Sequence, residues 1–128
     1  MIERLTSTKI PAAVGSYSSA SKVGNLIFTS GQLPINAETG KIDQPTSIEW
    51  QVEQSLKNIK AILEDNGSSM EAIIKTTVYL ADIADFNSFN GVYQTFFQNG
   101  FPARTAFEVG NLPMGALVEI EAIAEVLS

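Results

Sequence analysis

Cysteine and histidine are both missing from this 128-residue chain. Without thiols there is no disulfide, no thiolate nucleophile and no zinc–sulfur site. Without imidazole the usual general base, the Ser-His-Asp arrangement and the commonest metal ligand are gone. Arginine is scarce as well, at positions 4 and 104 alone. Any catalysis has to run on carboxylates, hydroxyls, amines, amides, backbone groups or Arg104. Lysine and arginine total 8 against 14 acidic residues, a net charge of −6. Nucleic-acid binding normally needs a basic face that displaces counterions from phosphates, and this balance argues against it. No apolar run approaches the ~18 residues that span a bilayer. Met1 to Thr6 lacks the basic-then-apolar pattern of a signal peptide, so a cytoplasmic protein away from membranes is expected.

What is present is ordinary for a globular protein: 45% apolar and 17% charged residues, enough for one domain over residues 1–128. A first helix is predicted after Pro45, with Thr46 and Glu49 as a capping box. Its apolar stripe is Ile48, Val52, Leu56, Ile59, Ile62 and Leu63, and it stops at Asn66-Gly67. A second is predicted from an Asp85 cap through Phe86, Phe89, Tyr93, Phe96 and Phe97 to Asn99-Gly100, its aromatic stripe read as core. Strands are predicted at 17–23, 24–30, 73–80, 103–109 and 117–126, with turns near Gly24-Asn25 and over 110–115. Strands, helix, strand, helix, strands suggest an α+β fold with two helices on one face of a single sheet. The last strand carries apolar residues on both faces, which hints at a covered sheet and an oligomer.

Arg104 is the most informative residue. It sits in an alternating strand just after Pro102, where a planar, permanent cation suits bidentate capture of a carboxylate. Side chains alternate along a strand, so Arg104 shares its face with Ala106 and Glu108. Pairing of this strand with the last one, about the 111–116 turn, would bring Glu108 near Glu119. The plainer reading makes Arg104 a counter-ion for Glu108 or another glutamate. Glu119 and Glu121 share a face, as a carboxylate pair or as a solvated surface. Ser30-Gly31 ends a strand with a hydroxyl and an approachable backbone, or is a simple turn. Tyr17 is a cleft residue or packed, and Lys75 a Schiff-base amine or a solvent-facing lysine.

Six segments in order carry a resemblance over nearly the whole chain: Pro11 to Ser18, Thr29 to Pro34, Gln54 to Ile59, Lys75 to Leu80, Phe101 to Arg104, and Glu119 to Ala124. In these the sequence resembles the Rid, or YjgF-type, family of reactive-intermediate deaminases. The resemblance implies a chorismate-mutase-like α+β fold and a homotrimer with ligand clefts between subunits. It implies hydrolysis of 2-imino acids, formed from enamines such as 2-aminoacrylate, to 2-keto acids and ammonia, with no cofactor or metal. By the same resemblance Arg104 would bind the substrate carboxylate and Glu119 would position or activate water. Tyr17 and Ser30 would line the cleft, Asn90 would neighbour it, and backbone groups at Gly31 and Ala106 could bind substrate or water. Glu121 is treated as structural.

Two departures stand out: many relatives carry Cys where this chain has Ala106, and Pro where it has Ser16. Competing readings are a non-catalytic regulatory or chaperone-like protein that binds small carboxylates in the same cleft, and a ribonuclease. The acidic balance and the lack of histidine count against the second.

Overall fold

Residues 1–127 are described in a computed structural model of the chain. The stripe of the first helix becomes α1, Ile48–Asp65. Val52, Leu56, Ile59, Ile62 and Leu63 are fully buried on it, because residues three and four apart share a helix face. Each such side chain contributes about 1.5–3 kcal/mol by leaving water. The cap lies one residue later than the capping box places it. Ser47, extended, accepts from the Trp50 N–H at 3.2 Å, and Glu49 serves only as first-turn charge. Gly67 ends the helix at φ +83°, a conformation open to glycine.

The second helix is shorter than its stripe. α2 spans Phe86–Tyr93 between 3-10 turns at Ile83–Asp85 and Gln94–Phe96. Asp85 makes no side-chain cap, whereas Asp82 accepts from the Ala84 N–H at 2.9 Å. The Thr95 hydroxyl donates to the Val92 carbonyl at 2.6 Å as the chain tightens.

Six strands form one sheet: β1 Glu3–Leu5, β2 Ala20–Val23, β3 Leu26–Thr29, β4 Ile73–Leu80, β5 Ala103–Glu108 and β6 Val118–Glu125. Their order is β1-β2-β3-β6-β4-β5, with β4 and β5 parallel and the other neighbours antiparallel. This overturns the expected pairing of the Arg104 strand with the last strand. Arg104 pairs with Thr76 and Glu108 with Leu80, while Glu119 pairs with Tyr79. The reason is burial. Val118, Ile120, Ala122 and Ala124 are all buried and claim a central position for β6. β5 is exposed or half-buried throughout and takes an edge, reached from β4 through α2 as a parallel crossover requires.

α1 packs on one face of the sheet, over Ile27, Val78, Leu80, Ile120 and Ala124, all fully buried. The opposite face carries Phe28, Tyr79, Phe107, Glu119, Glu121 and Ile123 by alternation and register. Phe28 and Phe107 are 39% and 44% exposed there, and the Tyr79 and Phe107 rings meet edge to face at 5.6 Å.

Candidate functional site

Arg104 leaves β5 on the helix-bearing side, because its partner Thr76 is buried there. Its guanidinium lies 5.3, 5.4 and 5.0 Å from the ring centres of Phe86, Phe89 and Tyr93. Nη1 donates to Asn90 Oδ1 at 2.7 Å, and the Tyr93 hydroxyl bonds Thr76 Oγ1 at 2.7 Å beneath it. Burial raises the Tyr93 phenol, partly offset by that bond and by the Arg104 charge. The predicted aromatic stripe is therefore core and platform at once. Phe89 is fully buried, yet the same ring face holds a cation.

The counter-ion reading of Arg104 does not survive. Among the described residues no carboxylate forms an ion pair with it, and Glu108 instead accepts from the Ile83 N–H at 2.9 Å. The guanidinium opens on a cleft of about 460 Å³ lined by Asn90, Tyr93, Gln94, Phe101, Pro102 and Arg104. Ala106, two residues on, is half-buried against the core and pairs with Val78.

Glu119 lies on the opposite face of the sheet, so one chain does not bring it to Arg104. It stands instead against Gly31. A methyl group added at Gly31 would sit 2.9 Å from Glu119 Cδ, so the missing side chain makes the room the carboxylate occupies. Burial, then the charge of Glu121, raise the Glu119 carboxyl above its usual range. Glu121 is already engaged, accepting from the Tyr79 hydroxyl at 2.8 Å. Burial first and this bond second push Tyr79 up to about 12. Glu119 is thus the uncommitted member of the pair.

Ser30 donates its hydroxyl to the Ser18 carbonyl at 2.6 Å, which leaves that oxygen only lone pairs to offer. Tyr17 is 54% exposed and borders two clefts, one of about 100 Å³ with Gly31 and one of about 610 Å³ with Ser30. Lys75 points into solvent on the Glu119 face. The expected residues therefore fall into two groups, Arg104 with Asn90 and Glu119 with Gly31, Ser30 and Tyr17, and the sheet lies between them.

Sequence reasoning missed the buried amides that place these loops. Asn58 Nδ2 donates to the Leu33 and Ile35 carbonyls at 3.2 and 3.0 Å. Gln51 Nε2 donates to the Gln44 carbonyl at 3.0 Å, and its Oε1 accepts from the Leu117 N–H at 2.8 Å. Gln51 and Asn58, spaced among the apolar residues of the α1 stripe, were the available signal. Among the described residues no group of three or more side chains is placed to hold a metal ion, and no helix is long and apolar enough to cross a membrane.

Residues 7–126 match the family model described as endoribonuclease L-PSP. The chain is 43% identical over 120 residues to the mouse protein named 2-iminobutanoate/2-iminopropanoate deaminase, covering 94% of this chain and 88% of that one. The structure of YyfA from Yersinia pestis, titled as a member of the conserved Rid family, superimposes with a TM-score of 0.95 at 40% identity, over 98% of this chain and 100% of that one. The structure of E. coli TdcF with bound serine gives 0.91 at 38% identity, over 98% and 99%. Taken with six conserved-order motifs on one continuous fold, these matches show that the chain belongs to the Rid (YjgF-type) family.

Proposed function

We propose that the protein hydrolyses 2-imino acids, derived from 2-aminoacrylate-type enamines, to 2-keto acids and ammonia. The clefts lie between the subunits of a homotrimer, Arg104 and Asn90 coming from one copy and Glu119, Gly31, Ser30 and Tyr17 from the next. The observation that carries this reading is Arg104 itself, fixed by three rings and Asn90 yet without a carboxylate. Its face separates it from Glu119, so a second copy has to complete the site. The exposed Phe28 and Phe107 on the Glu119 face give such a copy an apolar surface to cover. A mouse relative named as an imine deaminase and a neighbour solved with serine agree with a small amino-acid-like ligand.

The chemistry asks little of the chain. Arg104 grips the substrate carboxylate with its fork of N–H donors. A water held by Glu119 attacks the iminium carbon; the C–O bond forms, the C=N pair moves to nitrogen, and Glu119 takes the water proton. That proton then passes to the nitrogen. The hydroxyl oxygen re-forms a carbonyl as the C–N bond breaks, its own proton returns by way of the carboxylate, and ammonium leaves. A carboxyl raised by burial suits both halves of this exchange.

Mixing separates a shared site from a self-contained one. Arg104→Ala and Glu119→Gln subunits should each be inactive alone. Co-expressed in equal amounts, they should recover about one quarter of wild-type activity, since one cleft in four then joins two intact halves. No recovery from two inactive parents would mean that both residues serve within one chain, and an active parent would remove that residue from the reaction.

The pH dependence has a definite sign. Activity needs ionised Glu119, so it rises with pH through the raised value of that carboxyl. A cation from the neighbouring copy favours the charged form and pulls the value down. Removing it in Arg104→Ala should move the Glu119 titration, followed by carboxyl carbon resonances, to higher pH. An unmoved titration would place the two groups too far apart to share a substrate.

A further inference from the structure

Arg4, the chain's other arginine, also stands in a cleft. It pairs with Ser21, and Ser21 with Phe28, which puts it on the same face of the sheet as Glu119. There it lines the 610 Å³ cleft with Ser16, Tyr17, Ser18, Ser21 and Ser30. Among the described residues no carboxylate forms an ion pair with it, although the chain carries 14 acidic residues. A cation on an edge strand ordinarily guards that edge against pairing. This one differs in its company, because Tyr17 and Ser30 connect its cleft with the Gly31 loop against which Glu119 rests.

Sheet geometry sets the separation. β1 and β3 are two strand spacings apart, and Ser30 lies two residues beyond the row of Arg4, so the two backbones are roughly 12 Å apart. The long arginine side chain spans a good part of that distance. A short acid held at the Glu119 end spans the rest.

We propose that Arg4 is a specificity-determining residue for substrates with a second anionic group, namely 2-imino acids whose side chain ends in a carboxylate. Arg104 of one copy takes the carboxylate next to the imine, and Arg4 of the adjacent copy takes the distal one. The hydroxyls of Ser16, Ser18 and Ser21 surround the distal group without competing for its charge. Hydrolysis is unchanged in its balance: the imino dicarboxylate and water give a 2-oxo dicarboxylate and ammonium. The turnover claim rests on the deaminase reading; the binding claim does not.

The test compares wild type with Arg4→Gln on 2-iminopropanoate and 2-iminoglutarate, each generated in place by an amino-acid oxidase. The variant should lose about tenfold in kcat/KM on the dicarboxylate and stay within about twofold on the monocarboxylate. Raising the salt should shrink the wild-type advantage toward the variant's value, as a charge contact requires. Calorimetry of 2-oxoglutarate and pyruvate gives a second readout, with only 2-oxoglutarate weakened in Arg4→Gln. Equal losses on both acids, no loss on either, or inorganic phosphate displacing 2-oxoglutarate equally well from both proteins would overturn the proposal. Absent turnover with the binding contrast intact would sink the deaminase reading and leave this one standing. Robust deamination with no contrast would do the reverse.

Discussion

Arg104→Ala should lower kcat/KM on 2-iminopropanoate by about 10³-fold, because truncating one partner of a desolvated charge pair costs about 2–5 kcal/mol. The side chain is already held by Phe86, Phe89, Tyr93 and Asn90, so on the proposed reading little ordering remains for a ligand to impose. Arg104→Lys should recover only a small part, since an ammonium neither forms the two-pronged contact nor spreads over three rings. The fold should survive with a loss of at most about 1.5–3 kcal/mol, since three cation–ring contacts at an exposed site are worth about 0.5–1 kcal/mol each and no ion pair is broken. Keto-acid release from freshly generated 2-iminopropanoate, beside a melting curve, decides the matter. Turnover within about threefold of wild type would remove Arg104 from the reaction.

The largest stability effect should come from Phe89→Ala, at about 3–5 kcal/mol. Phe89 is fully buried, with ring centres 6.3 Å from Phe86 and 5.1 Å from Tyr93. No neighbour can close such a void without dislodging the row of rings. For a chain of this length that is a fall in melting temperature of roughly 10–20 °C. Phe89→Leu separates packing from chemistry. It should restore most of the stability, yet remove one of the three rings beneath Arg104 and weaken substrate binding severalfold. Full activity in Phe89→Leu would show that the ring only fills space.

Much of this fold was legible in the sequence. The Ile48 to Leu63 stripe marked α1 because a helix face has one period and one buried side. The strand at Ile73–Leu80 emerged with the bounds expected of it. What escaped was the neighbour relation. Alternation tells which residues share a face but not which strand lies alongside, and β6 slots between β3 and β4 from far along the chain. Alternation likewise put Arg104 on one face with Ala106 and Glu108 without telling which face meets the helices; the structure turns Phe107 outward and lays Arg104 on the α2 rings. The short β1 passed unnoticed because three residues carry no period. The candidate site residues were named one by one through motif likeness, whereas the separation of Arg104 from Glu119 by a sheet is a three-dimensional fact.

Gln51 and Asn58 have a further consequence. Between them these two buried amides hold backbone groups of Leu33, Ile35, Gln44 and Leu117, on irregular stretches that otherwise carry only isolated backbone pairs such as Gln32 with Ile120. A loop tethered in this way has no cheap route to local opening, since each release strands an amide in an apolar interior. Fraying of the segment beside Gly31 and melting of α1 thus become a single cooperative event, and the loop inherits the rigidity of the most protected helix in the molecule.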